Sequence, residues 1–423
     1  MTIRTHFRAY SRPTLLSGIL LCVLSSVAMA QGLEPARYHC NGYLIVRLVG
    51  TPEEMGRQHG RFLGEQVRRV VKDVILEGEA STPEAYGKLM AGTRRMEKQL
   101  PDDIKRELRA LAGEAKVKYE DLVALQLFGD VWRASQCSSF AAYGPATASG
   151  ELIAGRNFDF FDHGVSEYAA VILHYIPQNG IPFITITWAG IINGWTAMNA
   201  EGVIAANNTS WGRSDSLDGL STCFMIRKIV QHSATVAEGV ETVQQTPRAC
   251  GTNMLVAGER PLVRGAGVHS STRSAGVSPA GDAVTAGEAG ETPALRGVGE
   301  ESPEAAIVEY DHERVAVRWA KKGYVIATNF FRKLYEDVEI PEEEAWCSRY
   351  GRLYELINAH YGKIDRTMNF IGDPGVAMGS INLHSVLLFP RDLSFRVAMG
   401  HAAAYRYPYR AFRITDQGVV SAE

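Results

Sequence analysis

Cys137 stands in Ser135-Gln-Cys-Ser-Ser-Phe140, just ahead of a short apolar run, and Gly155-Arg-Asn-Phe-Asp-Phe160 puts an arginine and an aspartate at the end of the next run. If the bond before Cys137 is cut, one residue carries both a thiol and a free α-amine. Such an amine titrates at about 7.7–8.0. It can act as base to its own thiol, so nucleophile and base come from a single residue. A carboxylate beside such an amine could orient it, and an arginine close to a thiol favours thiolate by its positive charge. The bland alternatives are a buried structural cysteine, common for free thiols, and a surface ion pair of little worth.

Those residues need elements to hold them. Thr51-Pro-Glu-Glu54 reads as a helix start, with a capping hydroxyl, Pro at the first helical position and a carboxylate three residues after the Thr. An apolar stripe from Met55 to Val74 follows at helical spacing, with further helices expected around Ile104–Ala112 and Leu122–Leu127. From Cys137 the texture changes to short β-rich runs at 138–143, 152–157, 168–176, 182–189, 194–199 and 203–208. Helical patterning returns at 222–247. Strands are expected near 252–257, 305–310, 314–319 and 324–328, helices at 329–337 and 343–359, and two last strands at 380–389 and 393–399. Such grouping is α+β, not βαβ alternation.

The ends and composition narrow the class. Residues 1–30 combine Arg4, Arg8 and Arg12, an apolar run from Thr14 to Val27 and Ala28-Met-Ala30, the build of a cleaved secretory signal peptide. The run is shorter than the roughly 20 residues a membrane span needs; a lipoprotein reading at Cys22 is disfavoured by Leu20-Leu21. A secreted or periplasmic protein with no stable membrane anchor is therefore expected. Net charge is −3, with 46% hydrophobic and 22% charged residues and no basic block, which gives no reason to expect nucleic acid. No Cys/His cluster has zinc spacing, and no metal or other cofactor is expected. The cysteines left after signal removal are Cys40, Cys137, Cys223, Cys250 and Cys347; an odd number leaves at least one thiol free. Residues 265–303 are rich in Gly, Ala, Ser, Pro and Glu and read as a disordered insertion between two strands.

The chain resembles the acyl-coenzyme A:6-aminopenicillanic-acid acyltransferase family of autoproteolytic N-terminal-nucleophile hydrolases, and more distantly the bile-salt and penicillin V acylases. Gly50-Thr-Pro-Glu-Glu-Met-Gly-Arg-Gln-His-Gly60 is similar to that family's opening, and the likeness runs to about Gly400 around the low-complexity insert. The resemblance implies a four-layer αββα sandwich of two antiparallel sheets. It also implies self-cleavage between Gln136 and Cys137, with a helical segment 31–136 staying bound to a catalytic segment 137–423.

By the same resemblance Cys137 is the nucleophile, with Asp159 and Arg156 beside it. Asn199-Ala-Glu-Gly-Val-Ile-Ala-Ala-Asn-Asn-Thr209 is similar to the strand that delivers an oxyanion-hole amide. The family pattern puts that amide on Asn208, with Asn207 second; a plain Asn turn is the alternative. Tyr324-Val-Ile-Ala-Thr-Asn329 matches a strand ending in Thr-Asn, so Asn329 would meet the catalytic amine, unless it merely caps a following helix. Cys347-Ser-Arg-Tyr-Gly-Arg352 makes Arg349 the inward member and Arg352 a solvated charge. His59 reads as packing or surface and His163 as a candidate for the substrate mouth. Phe158, Phe160, Phe161, Trp188, Trp195 and Trp211 are candidate walls of an acyl pocket.

The implied activity is an exported amidohydrolase or acyltransferase acting on a small acyl amide, ester or thioester through an acyl-enzyme on Cys137. The alternatives are an exported binding protein that keeps the fold without catalysis, and a cysteine or serine hydrolase that works unprocessed. For the latter Ser138 or Ser139 lacks a G-x-S-x-G elbow.

Overall fold

The computed structural model describes residues 33–133, 135–262 and 303–422. The expected signal peptide, and all but the last residue of the expected disordered insertion, lie outside the described residues.

The N-terminal segment opens on a hairpin, β1 (Ala36–Cys40) and β2 (Tyr43–Gly50), where only helix was expected. Its turn is Asn41-Gly42, both at positive φ, the pairing that a two-residue hairpin loop favours. Helix α1 (Pro52–Val70) starts at the expected capping box: Thr51 accepts from the Glu54 amide while Glu54 accepts from the Thr51 amide. Its buried stripe (Met55, His59, Leu63, Val67, Val70) recurs every three or four residues, and a π-helical stretch, Val71–Glu79, continues it.

Helices α2 (Pro83–Glu97), α3 (Asp102–Ala115) and α4 (Tyr119–Trp132) complete this half. Helix α3 crosses α1 closely because Gly56 and Gly60 leave room; a β-carbon on Gly56 would sit 2.2 Å from the Glu107 carbonyl oxygen.

Sixteen strands among the described residues form two sheets. The first has nine strands in the order β1-β2-β5-β6-β7-β8-β9-β10-β11. Its later members are β5 (Ala170–Pro177), β6 (Phe183–Trp188), β7 (Thr196–Asn199), β8 (Val203–Thr209), β9 (Thr252–Gly258), β10 (Glu304–Tyr310) and β11 (Val315–Trp319). The second runs β12-β3-β4-β13-β14-β15-β16, from β3 (Gln136–Ala142), β4 (Ile153–Asp159), β12 (Tyr324–Ala327), β13 (Asn382–Phe389), β14 (Ser394–Met399), β15 (Arg410–Thr415) and β16 (Gly418–Ser421). The expectation of purely antiparallel sheets fails at one seam: β2 and β5 pair in parallel. A parallel pair needs a long crossover, and everything from α1 to β4 lies between them in sequence.

Three apolar cores separate four layers, as an αββα sandwich requires. Leu63, Val67, Leu108, Leu122 and Leu125 of the helices meet Leu173, Ala205 and Val256 on one face of the first sheet. Ile172, Ile204 and Leu255 on its other face meet Ala154, Val386, Val397 and Phe412 of the second sheet. Phe140 and Leu387, on the far face of that sheet, pack under Tyr350, Leu353 and Ile357 of the last helix, Ser348–Ala359. Leu173 and Ile172 are neighbours in one strand that serve different cores, the period-2 alternation of a sheet covered on both sides.

Four other expectations change. The patterning at 222–247 is two helices, α5 (Thr222–His232) and α6 (Val236–Gln245). The last helix, α7, begins at Ser348, not 343. Residues 329–337 are bends and turns with no helix, and β15 and β16 were not anticipated.

Candidate active site

Strand β3 lies between β12 and β4, and Cys137 is its second residue, fully buried. In the β3–β4 register Gln136 faces Asp159, Cys137 faces Phe158 and Ser139 faces Arg156. Arg156 and Asp159 are three residues apart, an odd step along a strand, so they take opposite faces. Arg156 shares the thiol's face. Asp159 shares the face of the Gln136 side chain, so the two charges serve different atoms of the Gln136–Cys137 unit.

Asn329 and Arg349 come from beyond β12 and from the first turn of α7. The Cys137 amide donates to Asn329 Oδ1 at 3.0 Å. Arg349 donates to the same Oδ1 at 2.7 Å, to Gln136 Oε1 at 3.0 Å and to the Cys137 carbonyl. Asn329 Nδ2 donates to the Thr209 carbonyl at 2.7 Å. No helix follows Asn329, which removes the capping alternative for it. Arg352, one turn beyond Arg349, is solvated and pairs with Asp373 and Glu355.

Electrostatics divide the site. Burial pushes the Cys137 thiol up, Arg156 and Arg349 pull it down, and Asp159 opposes them. Arg156 is itself fully buried. Its guanidinium donates to the Asn157 carbonyl, reaches Asn207 Oδ1 at 3.4 Å and lies 5.4 Å from the centre of the Phe158 ring. No carboxylate pairs with it among the described residues, so its charge is left for the thiol's face.

Burial raises Asp159 to about 6, against hydrogen bonding from Asn382 and the fields of Arg349 and Arg156. Asn382 Nδ2 meets Asp159 Oδ1 at 2.8 Å, while Oδ2 has no hydrogen-bond partner among the described residues.

A raised carboxyl has a definite sign. The fold favours the protonated form, so the stability that proton gives is present below the unfolded-state value of about 3.9 and is lost as pH rises through about 6. At 1.36 kcal/mol per unit the cost at pH 7 is about 2–3 kcal/mol. In an uncut Cys137→Ala chain, Asp159→Asn is therefore expected to raise the melting temperature at pH 7 and to match the parent near pH 4. Melting curves across that range test it; an offset that does not change with pH would remove the proton from the account.

A cavity of about 30 Å³ opens beside Phe158, room for about two waters. Phe128, Phe158, Phe160 and Trp195 give it an aromatic wall, while Ser135, Asn207, Thr209 and Cys223 give polar groups. Phe158 and Trp195 stack at 4.6 Å. Of the other aromatics expected there, Trp188 packs behind Trp195 at 5.1 Å, and Phe161 and Trp211 are each 53% exposed. A second cavity, about 60 Å³ between Arg366, Arg396 and Arg413, touches none of these residues.

The adjacent asparagines separate cleanly. Asn208 donates both carboxamide hydrogens inward, to Ser139 Oγ at 2.8 Å and the Asn253 carbonyl at 3.2 Å. Asn207 lines the cavity, with its oxygen toward Arg156 and its Nδ2 without a partner among the described residues. The residue expected second is thus the one on the cavity.

His59 is buried and accepts from the Gly190 amide at 3.0 Å, a packing role. His163 lies 3.0 Å from Glu79 with its ring 6.4 Å from Phe160. All five cysteines among the described residues are unpaired, and no cluster of His, Cys, Asp and Glu there could hold a metal. Nor is any described helix long and apolar enough to cross a membrane.

Sequence reading missed Asn382, which holds Asp159, and Ser135, whose hydroxyl bonds Thr209 across the cavity. Neither sits in a spacing that marks it.

An uncharacterized protein of Archaeoglobus fulgidus is 26% identical over 276 residues, 55% of this chain and 46% of that protein. Protein dcd1B of Dictyostelium discoideum is 24% identical over 235 residues, 50% of this chain and 47% of that one. The chain spans about half the length of the curated relatives it matches.

Among solved structures, a Caenorhabditis elegans ortholog of N-acylethanolamine-hydrolyzing acid amidase aligns with a TM-score of 0.39 and 13% identity, over 68% of this chain and 100% of that one. A conjugated bile acid hydrolase mutant of Clostridium perfringens aligns at 0.40 and 11%, over 68% and 96%. Residues 146–281, which include Arg156, Asp159 and both asparagines but not Cys137, match the model of the acyl-coenzyme A:6-aminopenicillanic acid acyl-transferase family, and over that third of its length the chain resembles that family.

Proposed function

We propose that the protein is an exported, self-processing cysteine amidohydrolase or acyltransferase, with Cys137 as nucleophile and a small acyl amide as substrate. The observation that carries this reading is the convergence of Asn329, Arg349 and Asp159 on Gln136 and Cys137, the two residues whose peptide bond must break. The sequence of residues 1–30 supports export.

Processing begins when the Cys137 sulfur adds to the Gln136 carbonyl carbon. The C–N bond breaks, leaving a thioester and a free Cys137 amine. Water then hydrolyses the thioester, giving a Gln136 carboxylate and restoring the thiol.

In turnover the amine accepts the thiol proton as sulfur attacks the substrate carbonyl. The Asn207 carboxamide stabilises the oxyanion, and the ammonium protonates the departing amine. Asn329 Oδ1 already accepts from the Cys137 nitrogen and would hold that ammonium, with Asp159 on the same side. Arg156 supports thiolate from the other face. Water releases the acyl group as an acid, or an amine takes it up in transfer.

After the cut, β2 would stay laddered to β5 and helices α1, α3 and α4 would stay packed on the first sheet. Both favour lasting association of the two segments.

Intact mass and N-terminal sequence of the purified protein test the reading. Two fragments are expected, the larger beginning Cys-Ser-Ser-Phe. A chain that stays whole under native conditions lacks the proposed base, and would favour a binding protein on the same fold.

A further inference from the structure

Asn329 sits on a stretch with little regular structure of its own. Residues 328–334 follow β12 as bends and turns, so their peptide groups must find partners elsewhere. On the carbonyl side, Asn253 Nδ2 lies 2.8 Å from the Thr328 oxygen and 2.8 Å from the Phe330 oxygen, the carbonyls flanking Asn329. On the amide side, Glu309 accepts from the amides of Arg332 at 3.0 Å, Lys333 at 2.8 Å and Leu334 at 3.0 Å. Arg318, 2.6 Å from Glu309, balances the charge, and its other nitrogens reach Glu342 and the Ile326 carbonyl. Asn253 and Glu309 are both fully buried on the nine-stranded sheet, whereas Cys137 is on the other sheet.

We propose that Asn253 and Glu309 are positioning residues: they fix Asn329, from across the sandwich, at the nitrogen of Cys137. The assignment rests on the reading of Cys137 as a self-processing nucleophile. It also explains Asn208, which donates to the carbonyl of Asn253 and so acts behind Asn253, away from the cavity. Rigid support matters because a misplacement near 1 Å can cost a reaction about 10²-fold.

A double-mutant cycle separates this role from general stability. The readouts are the self-cleavage rate, followed by intact mass, and turnover of a chromogenic acyl amide. Asn253→Ala is expected to slow both by about 10²-fold. In an Asn329→Ala background the same change should add less than about threefold, since residues acting as one unit are not additive. Asn253→Ser keeps one donor and should fall between.

Should Asn253→Ala fail to fold, Asn253→Ser carries the cycle. Amide exchange in uncut Cys137→Ala chains gives a second measurement: Asn253→Ser should speed exchange at 328–334 and leave β3 protected. Additive losses, or exchange that rises everywhere, would overturn the positioning role while leaving Cys137 in place. A wild-type chain that is never cut would overturn both.

Discussion

Cys137→Ala is expected to leave one uncut chain with no measurable amidase activity, and Cys137→Ser a chain that is cut slowly. Alanine removes the sulfur that attacks Gln136 and, with the bond intact, also withholds the α-amine that serves as base. Both losses fall on one residue, so the effect should reach about 10⁴-fold or more, as when the members of a catalytic unit are removed. Serine keeps a nucleophilic atom but is a much poorer one than a thiol at neutral pH.

The buried surroundings sharpen the contrast. Burial pushes the Cys137 thiol up in the uncut chain, and Arg156 and Arg349 only partly offset it. A thiol so placed depends on a neighbouring base, and cleavage creates one on the same residue. Intact mass after purification and initial rates on an acyl amide measure both effects. Alanine chains cut like the parent would exclude Cys137 as the nucleophile. Because alanine fits a fully buried β-strand position, Cys137→Ala should fold with a melting temperature close to that of the parent.

The site was legible where chemistry and strand periodicity coincide. Cys137 and Asp159 each stand at a strand end beside an apolar run, and the register pairs their neighbourhoods as that pattern requires. Asn329 and Arg349 were legible only through family likeness. Nothing in Thr328-Asn329 or Ser348-Arg349 says that two segments 20 residues apart will share one hydrogen bond.

The αββα layers were not readable from alternation alone. Strands such as β5 and β9 are buried on both faces and read as continuous apolar runs, which do not say which core each side chain serves. Asn41-Gly42 marks the turn between β1 and β2, but the strands beside it carry no clean alternation of buried and exposed residues that would set them apart from the helices that follow. Residues 329–337 look helical by composition, yet buried partners on another sheet outbid the local preference. Glu309 gathers the amides of Arg332, Lys333 and Leu334 onto one buried carboxylate, an acceptor that sits far away in sequence. Tertiary contacts of that kind leave no local trace.

The adjacent asparagines give the second large effect, and its direction separates two roles that sequence could not. Asn207→Ala is expected to lower kcat by about 10²–10³-fold, the usual loss of one oxyanion donor, with only a modest fall in melting temperature from the acceptor that buried Arg156 loses. Its Nδ2 has no partner among the described residues, its Oδ1 takes only a long 3.4 Å bond from Arg156, and it lines the cavity with Phe158. Asn208→Ala should behave the other way. It leaves Ser139 Oγ without its donor in a buried setting and removes the second bond to the Asn253 carbonyl, at about 1–3 kcal/mol, and it should disturb turnover only through the Asn253 support of Asn329. Asn208→Ala should therefore lose stability first and activity by tenfold or less, with KM unchanged. Melting curves and steady-state kinetics on the two variants decide the matter. If Asn208→Ala instead removes activity at unchanged stability, its carboxamide must turn from Ser139 to the cavity once the chain is cut. The oxyanion donor would then be Asn208, formed by processing and absent from the uncut fold.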